Sequence, residues 1–171
     1  MIKFSRMAFV AGAAVFGLMA GTAASARSDA DFMKQAAQNG AAEIEASKLA
    51  LQKAQRSEVK AFAEKMVADH TKTSEELKQL ATAKKVTLPD GPSMKQKAEL
   101  KMISAGDDAK FDERYAKSFG VKAHEETIKL FEEAAKGATD ADVKAFAQKT
   151  LPALNHHLDM ARSLEGAAAR K

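Results

Sequence analysis

All four histidines of this sequence, His70, His124, His156 and His157, stand in or beside stretches that otherwise read as the apolar seams of helices. A carboxylate, Glu43, interrupts a similar stripe nearer the N-terminus. Imidazole and carboxylate are the ligands that Zn, Fe, Mn, Ni or Cu accept, and facing helices of a bundle are a common place to build such a site. Other chemistry finds little support: there is no Cys to act as nucleophile or thiolate ligand, no nucleophile elbow and no glycine-rich phosphate loop.

Whether these groups meet depends on height along the helices, at about 1.5 Å of rise per residue. Glu43 precedes a turn centred on Arg56 by almost the same length of helix as that by which His70 follows it. Both therefore sit roughly 20 Å from that turn. In the second half, His124 precedes a turn near Ala138 by a similar length, whereas His156 and His157 follow it by a longer one. The two sides are about one helical turn out of step, and a few residues of loop slack bring them level. The expected metal-ligating set is Glu43, His70, His124 and one or both of His156 and His157. Asp69, Asp112, Tyr115 and Glu125 are near enough in the pattern to orient the imidazoles.

The elements that must position these groups are helical throughout. From Asp29 onward the chain is dominated by Ala, Lys, Glu, Gln, Leu and Met, and no stretch alternates like a strand. Spacing predicts a first helix over Asp31–Gln55, and a second from Ser57, read as its N-cap, through Val59, Phe62, Met66, His70, Leu77 and Leu80. Leu88-Pro89-Asp90-Gly91-Pro92 ends it, and Ser93 caps a short helix to about Ile103. A third long helix runs from near Asp107 to Gly137, and a fourth starts near Asp140 with Pro152 expected to kink it. Glu58–Lys65 and Asp142–Lys149 are nearly identical octapeptides, so the second and fourth long helices are equivalents. The expected architecture is all-α: a ferritin-like four-helix bundle of two helical hairpins, with a short extra helix in the crossover.

The N-terminus has the three-part pattern of a secretory signal peptide. Lys3 and Arg6 precede an apolar run, Ala8 to Gly21, which ends at Ala24-Ser25-Ala26, so residues 1–26 are read as the signal and 27–171 as the bundle domain. This places the mature protein in the periplasm or another extracytoplasmic compartment, with no stable membrane span. A formal charge of +4 from 27 basic and 23 acidic residues gives no basic stripe for nucleic acid.

At these residues the chain resembles the bacterial domain-of-unknown-function 4142 (DUF4142) proteins, sometimes labelled "predicted outer membrane protein". The resemblance rests on Asp31-Phe32, Ala42-Glu43-Ile44-Glu45, Val59-Lys60-Ala61-Phe62-Ala63 and Asp69-His70. It continues through Phe111-Asp112, Tyr115, His124-Glu125, Thr150-Leu151-Pro152 and His156-His157. It implies an exported ferritin-like bundle and little about activity. The strands of a membrane barrel are absent, and so is the di-iron signature Glu-x-x-His: Val67, Val121, Ala153 and Leu154 occupy the positions three before the four histidines. A mononuclear, His-rich site suits the ligand set better than a di-iron one. The reading is of a binding protein with a role in envelope stress or metal handling. The alternatives are a structural or interaction module whose polar core fixes bundle register, and a metal-dependent redox enzyme with Tyr115 beside the site.

Overall fold

The computed structural model describes residues 27–105 and 107–168; the stretch read as a signal peptide lies outside the described residues. Six α-helices follow one another: α1 (Asp29–Lys53), α2 (Ser57–Ala83), α3 (Met94–Ala105), α4 (Phe111–Tyr115), α5 (Ala123–Gly137) and α6 (Ala141–Ala168). Among the described residues there is no strand. The third long helix of the sequence reading is a composite rod, in which a π-helical segment, Ala116–Lys122, joins α4 to α5 after a single 3-10 turn at Asp108–Lys110. α6 runs through Pro152 without a break in helical structure.

Local chemistry sets the ends. Ser28 accepts the Asp31 N–H at 3.1 Å and starts α1. Ser93 and Gln96 form a reciprocal capping box: the Gln96 N–H donates to Ser93 Oγ at 3.3 Å, and the Ser93 N–H donates to Gln96 Oε1 at 2.8 Å. Asp140 accepts the N–H groups of Asp142 and Val143 to open α6. Lys85, with φ 57°, takes the left-handed conformation after α2, so that the Val86 N–H reaches back to the Ala81 carbonyl at 2.8 Å.

Ser57 is not the N-cap of α2, contrary to expectation. It is the first helical residue, the N-cap position is Arg56, and no side chain of the helix caps it. The turn is held instead from the other half of the molecule, by Asp112, which accepts the N–H groups of Gln55 at 3.1 Å and Arg56 at 2.8 Å. The other hairpin turn is held in the same way by the first residue of α1. Asp29 accepts from the Thr139 N–H at 3.1 Å, the Thr139 hydroxyl at 2.6 Å and the Asp140 N–H at 2.7 Å. These two clamps fix the topology. The start of α1 lies at the α5–α6 turn and the start of α4 at the α1–α2 turn, so the bundle runs up, down, down, up, with α3 in the long crossover.

Asp112 is 9% exposed, and its two charge-assisted bonds hold N–H groups that the turn leaves without a partner of its own. Asp112→Ala is expected to lower stability by about 2–3 kcal/mol, with Asp112→Asn between it and wild type. The shift of the urea midpoint at constant slope measures this; an unchanged midpoint would show that the clamp is dispensable.

The core falls into two apolar halves. One packs Ala46, Ala50, Val59, Phe62, Met66, Tyr115, Phe119 and Ala161. The other packs Phe32, Leu77, Ile128, Phe131, Val143, Phe146 and Leu154. The octapeptide repeat is visible here, since Val59 and Val143 are both fully buried, as are Phe62 and Phe146 apart from their edges, in opposite halves. In each long helix a polar residue stands between the positions that feed the two halves, and those residues form the middle layer.

Candidate metal centre

The middle layer contains Glu43 from α1, His70 from α2, His124 from α5 and His157 from α6, all 5% exposed or less. The three imidazoles form a nearly equilateral triangle, with ring centroids 5.5 Å apart for His70–His124, 5.4 Å for His70–His157 and 5.5 Å for His124–His157. One nitrogen from each lies within 4.8 Å of the other two. A tetrahedral ion with ligands at 2.0–2.1 Å holds its donor atoms about 3.4 Å apart, so small side-chain rotations suffice to close the triangle.

The outer nitrogens of two rings are fixed. His124 Nδ1 lies 3.0 Å from the Phe119 carbonyl, five residues earlier. That carbonyl belongs to the π-helical segment, where the Ala123 N–H reaches back to Ser118. The wide turn thus presents the Phe119 oxygen to the imidazole, a common use of a π-bulge at a functional site. His157 Nε2 lies 2.7 Å from Asp69 Oδ2, and Asp69 is itself paired with Lys65 at 2.9 Å. The inner nitrogens, His70 Nε2, His124 Nε2 and His157 Nδ1, have no hydrogen-bond partner in the protein, and neither do the two oxygens of Glu43. Imidazoles with one nitrogen anchored to a carbonyl or carboxylate and the other left bare have the pattern of oriented metal ligands.

Electrostatics favours the neutral, ligand-competent imidazole. Burial, reinforced by the neighbouring His124 and His157, brings His70 down to about 3. Burial brings His124 down to about 4, against the opposing pull of the Phe119 carbonyl. Burial also lowers His157, although Asp69 acts to raise it. Partial burial would raise Asp69, but its bonds to Lys65 and His157 outweigh that and hold it below the usual carboxylate range. Glu43 is pushed well above the usual range by burial alone.

Several expected members of the site stand elsewhere. His156, one residue from His157 and therefore about 100° round the helix, is exposed. Glu125 is exposed and pairs with Arg162 at 2.9 Å. Asp112 serves the α1–α2 turn, as described, because it sits at the start of α4, several helical turns from His124. The Tyr115 hydroxyl is 2.8 Å from Ser47 Oγ and bonds no imidazole; burial and the nearby Glu43 charge push it up. Glu43 is in the layer but not in the three-nitrogen group, since its Oε1 lies 3.7 Å from His124 Nδ1, on the side of the ring that faces Phe119.

Sequence reasoning missed Asn39, Ser47 and Thr127. Asn39, Glu43 and Ser47 are a polar stripe at successive steps of four along α1, and Thr127 stands three residues after His124, so helical spacing contains the signal. Asn39 Nδ2 donates to Thr127 Oγ1 at 3.0 Å, joining α1 to α5 just outside the layer.

Asp69→Asn keeps the shape but removes the charge that orients His157. Metal affinity is expected to fall about 10–100-fold, measured by competition with a chromophoric chelator; wild-type affinity would show that His157 needs no such anchor.

An up-down-down-up helical bundle with a buried histidine triad across its middle is the class of protein that fold and site define. The chain belongs to the family described as domain of unknown function (DUF4142), whose model matches residues 17–164. The fold is similar to that of a DUF305 fragment from Deinococcus radiodurans, with a TM-score of 0.70 at 12% identity, covering 84% of this chain and 96% of that one. No curated protein matches the sequence. No helix among the described residues is long and apolar enough to cross a membrane.

Proposed function

We propose that the protein is an exported metal-binding bundle, made with a signal peptide over residues 1–26 and holding one transition-metal ion in the periplasm or an equivalent compartment. His70, His124 and His157 are its ligands, and Glu43 is the carboxylate that offsets the charge of the ion. A role in metal handling or envelope stress follows from that compartment and chemistry.

One observation carries this reading: three bare imidazole nitrogens and both oxygens of a carboxylate are buried in one layer with no hydrogen-bond partner in the protein. Each unsatisfied polar atom costs about 1–3 kcal/mol, so five together rival the whole stability of a domain, about 5–15 kcal/mol. A cation held between the rings would satisfy the three nitrogens at once and its charge would offset the neighbouring carboxylate; three neutral imidazoles with a carboxylate nearby suit Zn, Fe, Mn, Ni or Cu.

Elemental analysis of protein purified from its native compartment is expected to find close to one equivalent of a transition metal, removable by chelator. Sub-stoichiometric metal, with no uptake by the stripped protein, would leave a polar layer that only fixes helix register.

A further inference from the structure

Two cavities meet at Glu43. The outer one, about 340 Å³, opens in the cleft between α1 and α5 under the start of α3, and its walls include Gln96, Glu99 and Glu126. The inner one is about 20 Å³, room for a single water, and is lined by His70 with Thr73 and Thr150. Asn39, Glu43 and Thr127 line both. They form the wall shared by the surface cleft and the small cavity beside His70.

This wall is built from few bonds. Asn39 donates to Thr127 at 3.0 Å, while its carbonyl oxygen accepts from Gln35 at 2.9 Å and from Gln96 at 2.8 Å. Gln96 is the capping-box residue of α3, a helix with Ile103 as its one buried residue and with Met94 and Met102 exposed. The element over the cleft is therefore lightly held, and one hydrogen bond spans the gap from α1 to α5. Behind that bond stands a carboxylate whose two oxygens are unpartnered, beside a space too small for a hydrated ion.

We propose that the α1–α5 cleft is the route by which a divalent cation reaches the triad. On this route the Asn39–Thr127 hydrogen bond is the gate, and Glu43 is the carboxylate that receives the ion as it sheds water. The proposal rests on the metal-binding reading above.

The test is the rate at which chelator-stripped full-length mature protein takes up Co²⁺, followed by stopped-flow absorbance, alongside the equilibrium affinity. Thr127→Val and Asn39→Ala remove the gate bond and are expected to speed loading about 3–10-fold, with affinity nearly unchanged because a gate alters rates and not end states. Glu43→Gln, which has no proton to release as the cation arrives, is expected to slow loading about tenfold. The chain has no cysteine, so Gln96→Cys provides a unique attachment point. A bulky methanethiosulfonate there is expected to slow loading about tenfold until reductant removes it. Thr82→Val, on the opposite groove lined by Ala37, Ile44 and Leu88, is expected to load like wild type. Co²⁺ binding at wild-type rates in the gate variants and in the blocked Gln96→Cys protein would overturn the route while leaving the metal site intact. Failure of the wild type to bind Co²⁺ at all would overturn both.

Discussion

Stripped protein supplied with Zn²⁺ at about a thousand times its dissociation constant is expected to gain about 4 kcal/mol, raising the melting temperature by about 10–15 °C for a chain of this size. Such a gain would come from an ion that binds the folded triad and finds no such arrangement in the unfolded chain. His70→Ala, His124→Ala and His157→Ala should each weaken binding at least ~100-fold, since one of few strong bonds is lost. They should also flatten the metal-dependent shift. His156→Ala, one residue from His157 but exposed, should leave the shift intact. Differential scanning calorimetry with and without chelator reads all four. Equal effects at positions 156 and 157 would mean that the triad drawn from the fold is not the binding site.

Acid is expected to unfold the metal-free protein far more readily than the loaded one. His70 at about 3 and His124 at about 4 both lie below their ordinary 6.5. The unfolded chain therefore takes up protons first as pH falls. Their contribution is whole above pH 6.5 and is lost on the way down towards the folded values. By pH 4.5 the two together have forfeited several kcal/mol, at about 1.4 kcal/mol per pH unit of depression. His157, lowered by burial, adds to the loss. Glu43 acts in the opposite direction: raised by burial above its ordinary 4.5, it stays protonated while the unfolded chain ionises, so its penalty grows as pH rises from there. Asp69, held below its usual range by its bonds to Lys65 and His157, adds a further loss at lower pH. Metal-free stability should thus peak near the ordinary histidine value and fall steeply below it. Urea midpoints measured in chelator across pH 4.5–8 check the curve. A flat profile on the acid side would show that the imidazoles are already charged or solvated.

Most of the scaffold is legible in the amino-acid sequence. Alanine-rich seams, Pro89 with Gly91, and the octapeptide repeat specify two hairpins and a crossover, because helical period and breaker residues are local properties of the chain. Counting residues from the turns also brought Glu43, His70 and His124 to one height, since helical rise is uniform. The failures came where distant parts of the molecule decide. Asp112 looked like a neighbour of the histidines, yet it crosses to a turn some 56 residues away in sequence, which no local pattern reveals. His156 and His157 could not be separated by height alone; rotation about α6 separates them, and packing sets that. The π-helical segment before His124 has no clear composition mark, and it supplies the Phe119 carbonyl that steadies the ring. Glu43 meets the requirement of level but not of direction: its Oε1 lies beside His124 Nδ1, on the Phe119 side of the ring, and helical rise carries no information about where a side chain points.

The paired aspartate clamps bear on how the chain reaches its native state. Each hairpin has its turn tied down by a residue that only the opposite hairpin provides, Asp112 for one and Asp29 for the other. Neither half expressed alone should therefore form a lasting structure, while the two fragments mixed together should reassemble. During synthesis the first hairpin is expected to secure its turn only once α4 has emerged.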